Sequence, residues 1–198
     1  MRYVSLWLAA VCVVVFLVQS AIPGFTEAFL LSSGALSAPW TFVTSIFLHG
    51  SPSHLMFNMF ALVLFGLMLE KFIGARKFIA IFFISGLAAS IAAFLVYDAS
   101  LGASGAVYGV IGALAAIRPR MVVWTYGAPM PMVVAAGFYL LLDIAGVFFP
   151  SNVANAAHIA GLIIGALIAF PMRDKTRQEK RKSLLDEKRL EEWEDEWM

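Results

Sequence analysis

The sequence predicts an all-α, polytopic membrane protein: six transmembrane helices, a long and partly helical first loop, and a charged helical tail at the C-terminus. Three observations carry that expectation: composition, the spacing of apolar stretches, and the placement of positive charge. Hydrophobic residues make up 61% of the 198 and charged residues only 14%, against roughly 45–50% and about 25% in an average soluble domain. A mean hydropathy of +0.85 excludes a soluble reading.

Six apolar stretches run over about 4–22, 54–70, 78–97, 104–117, 131–149 and 154–172. Most approach the roughly 20 residues that a helix needs to cross about 30 Å of hydrocarbon. Helices are expected because backbone groups in lipid must find partners within their own segment. The fourth stretch is shorter, as though it starts below the membrane surface. Lysines and arginines fall at Arg2, at Lys71, Arg76 and Lys77, at Arg118 and Arg120, and from Arg173 onward. With six spans these sites share one face, which the positive-inside rule makes cytoplasmic. The expectation is a multi-pass cell-membrane protein with both termini in the cytoplasm.

Gln19-Ser20-Ala21 loosely resembles a signal-processing site, but removing the first span would place a new N-terminus outside, with no basic residue to explain it. Residues 23–53 contain Pro23, Gly24, Pro39 and Pro52 between apolar pieces at 28–31 and 42–48, which suits short interfacial helices. The expected division is a membrane domain over 1–172 and a cytoplasmic tail over 173–198. In that tail Glu179, Lys182, Asp186 and Arg189 recur at helical spacing, and Trp193 and Trp197 suit contact with headgroups. Cys12 is the single cysteine, so no intrachain disulfide or cysteine metal cluster can form.

Polar side chains within membrane segments are costly and each needs a reason. Asn58, Ser104, Asp143 and His158 are the candidates, with His54 one turn outward from Asn58. Counted from the nearest cytoplasmic charge, Asn58, Ser104 and His158 lie roughly 20, 21 and 22 Å deep, and His54 about 26 Å. Three separate spans thus bring a serine, a histidine and an asparagine to one layer. Gly105, Gly109 and Gly112 on the fourth span, and Gly161 and Gly165 on the sixth, form small faces that let helices meet closely. By themselves these features fit glycines that only pack helices and polar groups that only bond one another better than they fit a site.

Chemistry adds a further reading. A serine hydroxyl becomes a useful nucleophile when an imidazole takes its proton. Ser104 opens its helix after Gly102-Ala103, where free N–H groups and the positive helix end suit an oxyanion. Asn58 and His54 are placed to donate to the same oxygen. No acidic residue has an obvious place behind His158, so a Ser104–His158 dyad is expected. For Asp143 the expectation is a helix–helix hydrogen bond, with Tyr139 one turn away.

At these residues the chain closely resembles the rhomboid intramembrane proteases. Gly102-Ala103-Ser104-Gly105 is similar to the family's GxSG motif. Ala157-His158-Ile159-Ala160-Gly161-Leu162-Ile163-Ile164-Gly165 is similar to its AHxxGxxxG motif. His49-Gly50-Ser51-Pro52-Ser53-His54-Leu55-Met56-Phe57-Asn58 resembles the entry to its second helix. The order of these motifs along about 3–172 makes the match specific. The resemblance implies a serine endopeptidase that cleaves single-span membrane proteins near the outer end of their helices, without a metal or cofactor. It further implies an oxyanion hole of Asn58, His54 and the Ser104 N–H, with Tyr108 packed on the catalytic imidazole. It implies that His49 anchors the first loop and that Glu70 ties cytoplasmic groups together. The family often carries Trp-Arg in that loop where this chain reads Trp40-Thr41, which puts the loop's anchoring in question.

The expected partners are transmembrane substrates and the lipid bilayer, not nucleic acid. Three other classes stand beside the protease. A catalytically dead, client-binding relative would lack the serine or the histidine, and this chain keeps both. A transporter could use Asp143 and His158 as a proton relay, but no inverted repeat is visible. A metal hydrolase built on His49, His54 and His158 lacks an HExxH pattern. Substrate entry is open between the second span's neighbouring loop and the fifth span, which carries Gly137 and Gly146.

Overall fold

The computed structural model describes residues 3–125, 127–149 and 153–173. Helix α1 spans Val4–Ala21, followed by the short α2 (Phe25–Phe29) and α3 (Thr41–Thr44), then α4 (Pro52–Ile73) and α5 (Ala75–Val96). Helices α6 (Ser104–Ile117), α7 (Met132–Phe148) and α8 (Asn155–Ala169) complete the bundle, with a 3-10 turn over Phe170–Met172. The expected tail helix lies outside the described residues.

Four of these segments, α1, α4, α5 and α8 with its 3-10 turn, are long and apolar enough to cross a membrane, while α6 and α7 are shorter apolar helices. The exposed surface agrees with lipid as solvent. Trp7, Leu17, Phe60, Leu95, Leu141, Phe148 and Leu167 all point outward, each at least 63% exposed, a pattern that water would penalise across several helices.

Helix α6 is the centre. Gly105, Ala106, Val107 and every residue from Gly109 to Leu114 are buried, because α4, α5, α7 and α8 all pack around it. Its closest neighbour is α8, and the glycines explain why. A Cβ at Gly161 would collide with the Gly105 carbonyl, one at Gly165 with the Gly109 carbonyl, and one at Gly112 with the Leu162 carbonyl. Backbone therefore meets backbone along the whole seam. On the other flank, Gly105 meets Ala89 and Gly109 meets Ser85 of α5.

Local signals set the helix ends. Ser51 caps α4 by accepting the His54 N–H at 3.1 Å, with Pro52 in the first turn. Gly74, at φ 78°, breaks the apolar run into α4 and α5. Glu70 accepts the Val4 N–H at 2.8 Å and both the N–H and hydroxyl of Ser5 at 3.0 Å. The carboxylate implied to tie cytoplasmic groups thus caps the first helix, where free N–H groups and the positive helix end favour an anion.

Two strand pairs lie outside the all-α expectation. In the first loop β1 (Leu31–Ser32) pairs antiparallel with β2 (Ala99–Ser100), tying that loop to the entry of α6. Between α6 and α7, β3 (Val122–Thr125) and β4 (Ala128–Pro131) form a hairpin. The first loop is also held without the family's arginine. Thr41 bonds the Ala38 carbonyl at 2.7 Å, Thr44 the Phe29 carbonyl at 2.9 Å, and the Trp40 indole the Ala28 carbonyl at 3.4 Å.

Candidate active site

Ser104 is the first residue of α6, and Gly102 shapes the approach to it. Gly102 sits at φ 125°, and its N–H bonds the Ser45 carbonyl at 2.9 Å. A side chain here would be strained, and it would also meet His54, with its Cβ 2.9 Å from Nε2 and 3.9 Å from Ser104 Oγ. The missing side chain lets the His54 imidazole and the serine hydroxyl flank one point. Ser45, Ser90, Ser100 and Ser104, with Ile46, Leu101 and several alanines, line a small cavity of mixed character beside it.

From α8, His158 reaches across the glycine seam, and its Nε2 lies 2.8 Å from Ser104 Oγ. At this level of the seam the backbones that touch are those of Gly105, beside the serine, and Gly161, one turn beyond the histidine. Tyr108, one turn along α6 from Ser104, stacks on the imidazole with ring centroids 4.2 Å apart and planes 15° from parallel. The stacking implied by the family resemblance is therefore present. Tyr139 of α7 packs edge-on against Tyr108 at 5.7 Å.

Asn58 is buried on α4 and donates to the His54 carbonyl at 2.9 Å, one turn back. That bond uses one of its two amide hydrogens. His49 is buried and anchored as expected of a loop residue. Its Nδ1 lies 3.2 Å from the Phe47 carbonyl, and its ring packs edge-on to His54 at 5.2 Å. Burial, with the His54 imidazole nearby, pushes the His49 pKa down to about 4, against the opposing pull of the Phe47 carbonyl. Gln19 completes the anchor, accepting the His49 N–H at 3.0 Å and donating to Thr26 at 3.0 Å. In the sequence Gln19 stands only within a loose processing-site pattern, with no signal of this role.

The larger correction concerns Asp143. No acidic residue was expected behind His158, yet Asp143 Oδ1 lies 2.9 Å from His158 Nδ1. Tyr139, the expected partner, instead exchanges a 2.7 Å hydrogen bond with Thr125 of the β3–β4 hairpin. The cause is packing: α7 lies antiparallel on α8, so residues equally far from their connection face each other, 143 opposite 158 and 146 opposite 155. A Cβ at Gly146 would sit 2.7 Å from the Asn155 amide, marking the second rung. This matched three-residue spacing was the available signal. Among the described residues, no three His, Cys, Asp or Glu side chains are arranged to hold a metal ion.

Comparison with known proteins identifies a family. A Rhomboid domain model matches residues 36–175. The mitochondrial RHOMBOID-like protein 6 of Arabidopsis thaliana is 35% identical over 134 residues, 66% of this chain and 43% of that protein. The rhomboid protease GluP of Bacillus subtilis is 34% identical over 134 residues, again 66% of this chain but 25% of that protein. This chain thus spans less than half the length of those two relatives. The rhomboid protease GlpG of Haemophilus influenzae is 30% identical over 180 residues, covering 84% of this chain and 89% of that protein. With that near full-length match and a Rhomboid domain over most of its residues, the chain belongs to the rhomboid family.

Proposed function

We propose that this protein is an intramembrane serine endopeptidase that cleaves single-span membrane proteins near the outer end of their helices. The observation that carries the proposal is the 2.8 Å contact between Ser104 Oγ and His158 Nε2. It joins a nucleophile and a base from two helices that touch only because glycines line both. The reading takes six spans, both termini in the cytoplasm, a membrane domain over 1–172 and an appended tail over 173–198.

His158 takes the hydroxyl proton as Ser104 Oγ attacks the substrate carbonyl carbon, giving a tetrahedral oxyanion. The Ser104 N–H is free of intrahelical partners by its place at the start of α6. With the His54 imidazole and the second amide hydrogen of Asn58, it stabilises that oxyanion. The imidazolium then protonates the leaving amine as the C–N bond breaks, leaving an acyl-serine. A water molecule beside Ser104, where the small cavity has room for about one, gives its proton to His158 and attacks the acyl carbon. Acid product leaves and the hydroxyl is restored.

A helical substrate hides its carbonyls in its own hydrogen bonds. Small or helix-breaking residues near the scissile bond are therefore favoured, because local unwinding must precede attack. A fluorophosphonate probe tests the nucleophile. Wild-type protein should take up one adduct at Ser104, and Ser104→Ala none; an adduct elsewhere, or equal uptake by both, would refute the assignment.

A further inference from the structure

Asp143 is a carboxylate within an apolar helix, only 4% exposed, with Oδ2 buried and without a hydrogen-bond partner. An acid in such a position is expensive unless it acts on something. Its Oδ1 lies 2.9 Å from His158 Nδ1, while the opposite ring nitrogen lies 2.8 Å from Ser104 Oγ. We propose that Asp143 is a positioning residue for catalysis, holding His158 in the one tautomer and ring orientation that can accept the serine proton. The proposal rests on the reading of Ser104 as nucleophile and adds a third member to the pair.

The reason lies in what the other contacts leave undetermined. A neutral imidazole carries one proton, and only the Nδ1–H form leaves a lone pair on Nε2 for the Ser104 hydroxyl. In the Nε2–H form the ring donates to Ser104 and cannot act as its base. Tyr108 fixes the plane of the imidazole by stacking, yet a half-turn of the ring within the same slot preserves the stack and presents the wrong edge. A carboxylate accepts hydrogen bonds and cannot donate, so Asp143 selects both the tautomer and the edge.

As proton transfer proceeds, the imidazolium gains an adjacent negative charge. Among the described residues, the groups that interact with His158 are Ser104 and Tyr108 from α6, Asp143 from α7, and His54 from α4, and Asp143 is the one acid in that set. Its carrier helix is seated by the Asn155–Gly146 contact one turn away, so docking of α7 on α8 and orientation of the base are a single geometric event.

The test uses the full chain, purified in detergent, with a single-span substrate and a fluorophosphonate probe. Asp143→Asn preserves shape but can offer an N–H to Nδ1 and favour the unproductive tautomer. The expected result is a fall of about 10²-fold or more in both kcat and the rate of Ser104 labelling, with KM within about twofold and the melting temperature held. Wild-type rates in Asp143→Asn would overturn the proposal. So would a loss that tracks melting temperature and KM together, which marks a purely structural role. If Asp143→Asn fails to fold, nitrogen-15 NMR of wild-type His158 decides the matter at neutral pH. A proton on Nδ1 supports the proposal, and a proton on Nε2 overturns it. Absence of Ser104 labelling in the wild type would instead defeat the protease reading itself.

Discussion

Replacing Gly161 with alanine probes the α6–α8 seam that brings the serine and histidine together. A Cβ there would overlap the Gly105 carbonyl oxygen, lie 2.9 Å from its carbon and 3.3 Å from its Cα. All three are backbone atoms, so no side chain can swing aside. Restoring ordinary van der Waals distance requires the helices to part by more than about 1 Å at this level. Overpacking of this kind costs about 1–3 kcal/mol, offset by up to about 1 kcal/mol from alanine's better helix propensity. The net stability loss is therefore at most about 3 kcal/mol, and folding should survive.

Activity should suffer more than stability. Ser104 Oγ and His158 Nε2 stand 2.8 Å apart beside this contact, and a shift of about 1 Å takes them beyond hydrogen-bond reach. Misplacement of that size costs on the order of 10²-fold in rate. The assay is fluorophosphonate labelling alongside thermal unfolding, with Gly137→Ala as control, since a Cβ at Gly137 meets nothing within 4 Å. The control should label like wild type. Labelling of Gly161→Ala at the wild-type rate, with an unchanged melting temperature, would refute the claim that this glycine contact sets the catalytic distance.

Glu70→Ala removes three hydrogen bonds that cap α1. Stability in detergent should fall by about 2–3 kcal/mol while the folded fraction labels at the normal rate, because Glu70 lies about three turns along α4 from Asn58; a selective loss of labelling would contradict this purely structural role. His49 gives a pH dependence. Its folded-state pKa of about 4 lies below the ordinary value of 6.5, so the unfolded chain binds more protons between those values. Its stability contribution is intact above about pH 6.5 and declines toward pH 4, by an amount on the order of 3 kcal/mol. Melting temperature against pH should be flatter for His49→Gln than for wild type over that range, and identical slopes would rule His49 out.

The membrane helices were legible because hydropathy and basic residues act over whole segments. The apolar stretch at 104–117 coincides with α6 (Ser104–Ile117), and that at 4–22 nearly with α1 (Val4–Ala21). The depth count brought Ser104 and His158 to one layer for the same reason, since helix rise is fixed. The β3–β4 hairpin escaped notice because Pro129 and Pro131 interrupt its second strand and its alternation covers only a few residues. Asp143 was visible as costly, but its partner was misjudged. The loop and hairpin before α7 leave no clean charge from which to count depth, and Tyr139 on the same helix offered the nearer partner. Only pairing α7 against α8 as an antiparallel unit sets Asp143 across from His158. Helix-to-helix register carried that information, and single-helix periodicity did not.

The central claim, that Ser104 and His158 form a proteolytic pair, is tested most directly by cleavage of a single-span model substrate reconstituted with the pure protein in lipid vesicles. Wild type should release two fragments from a cut near the outer end of the helix, whereas Ser104→Ala and His158→Ala, folded to the same extent, should release none. Cleavage by Ser104→Ala at the wild-type rate, or an intact substrate with folded wild-type protein, would contradict it.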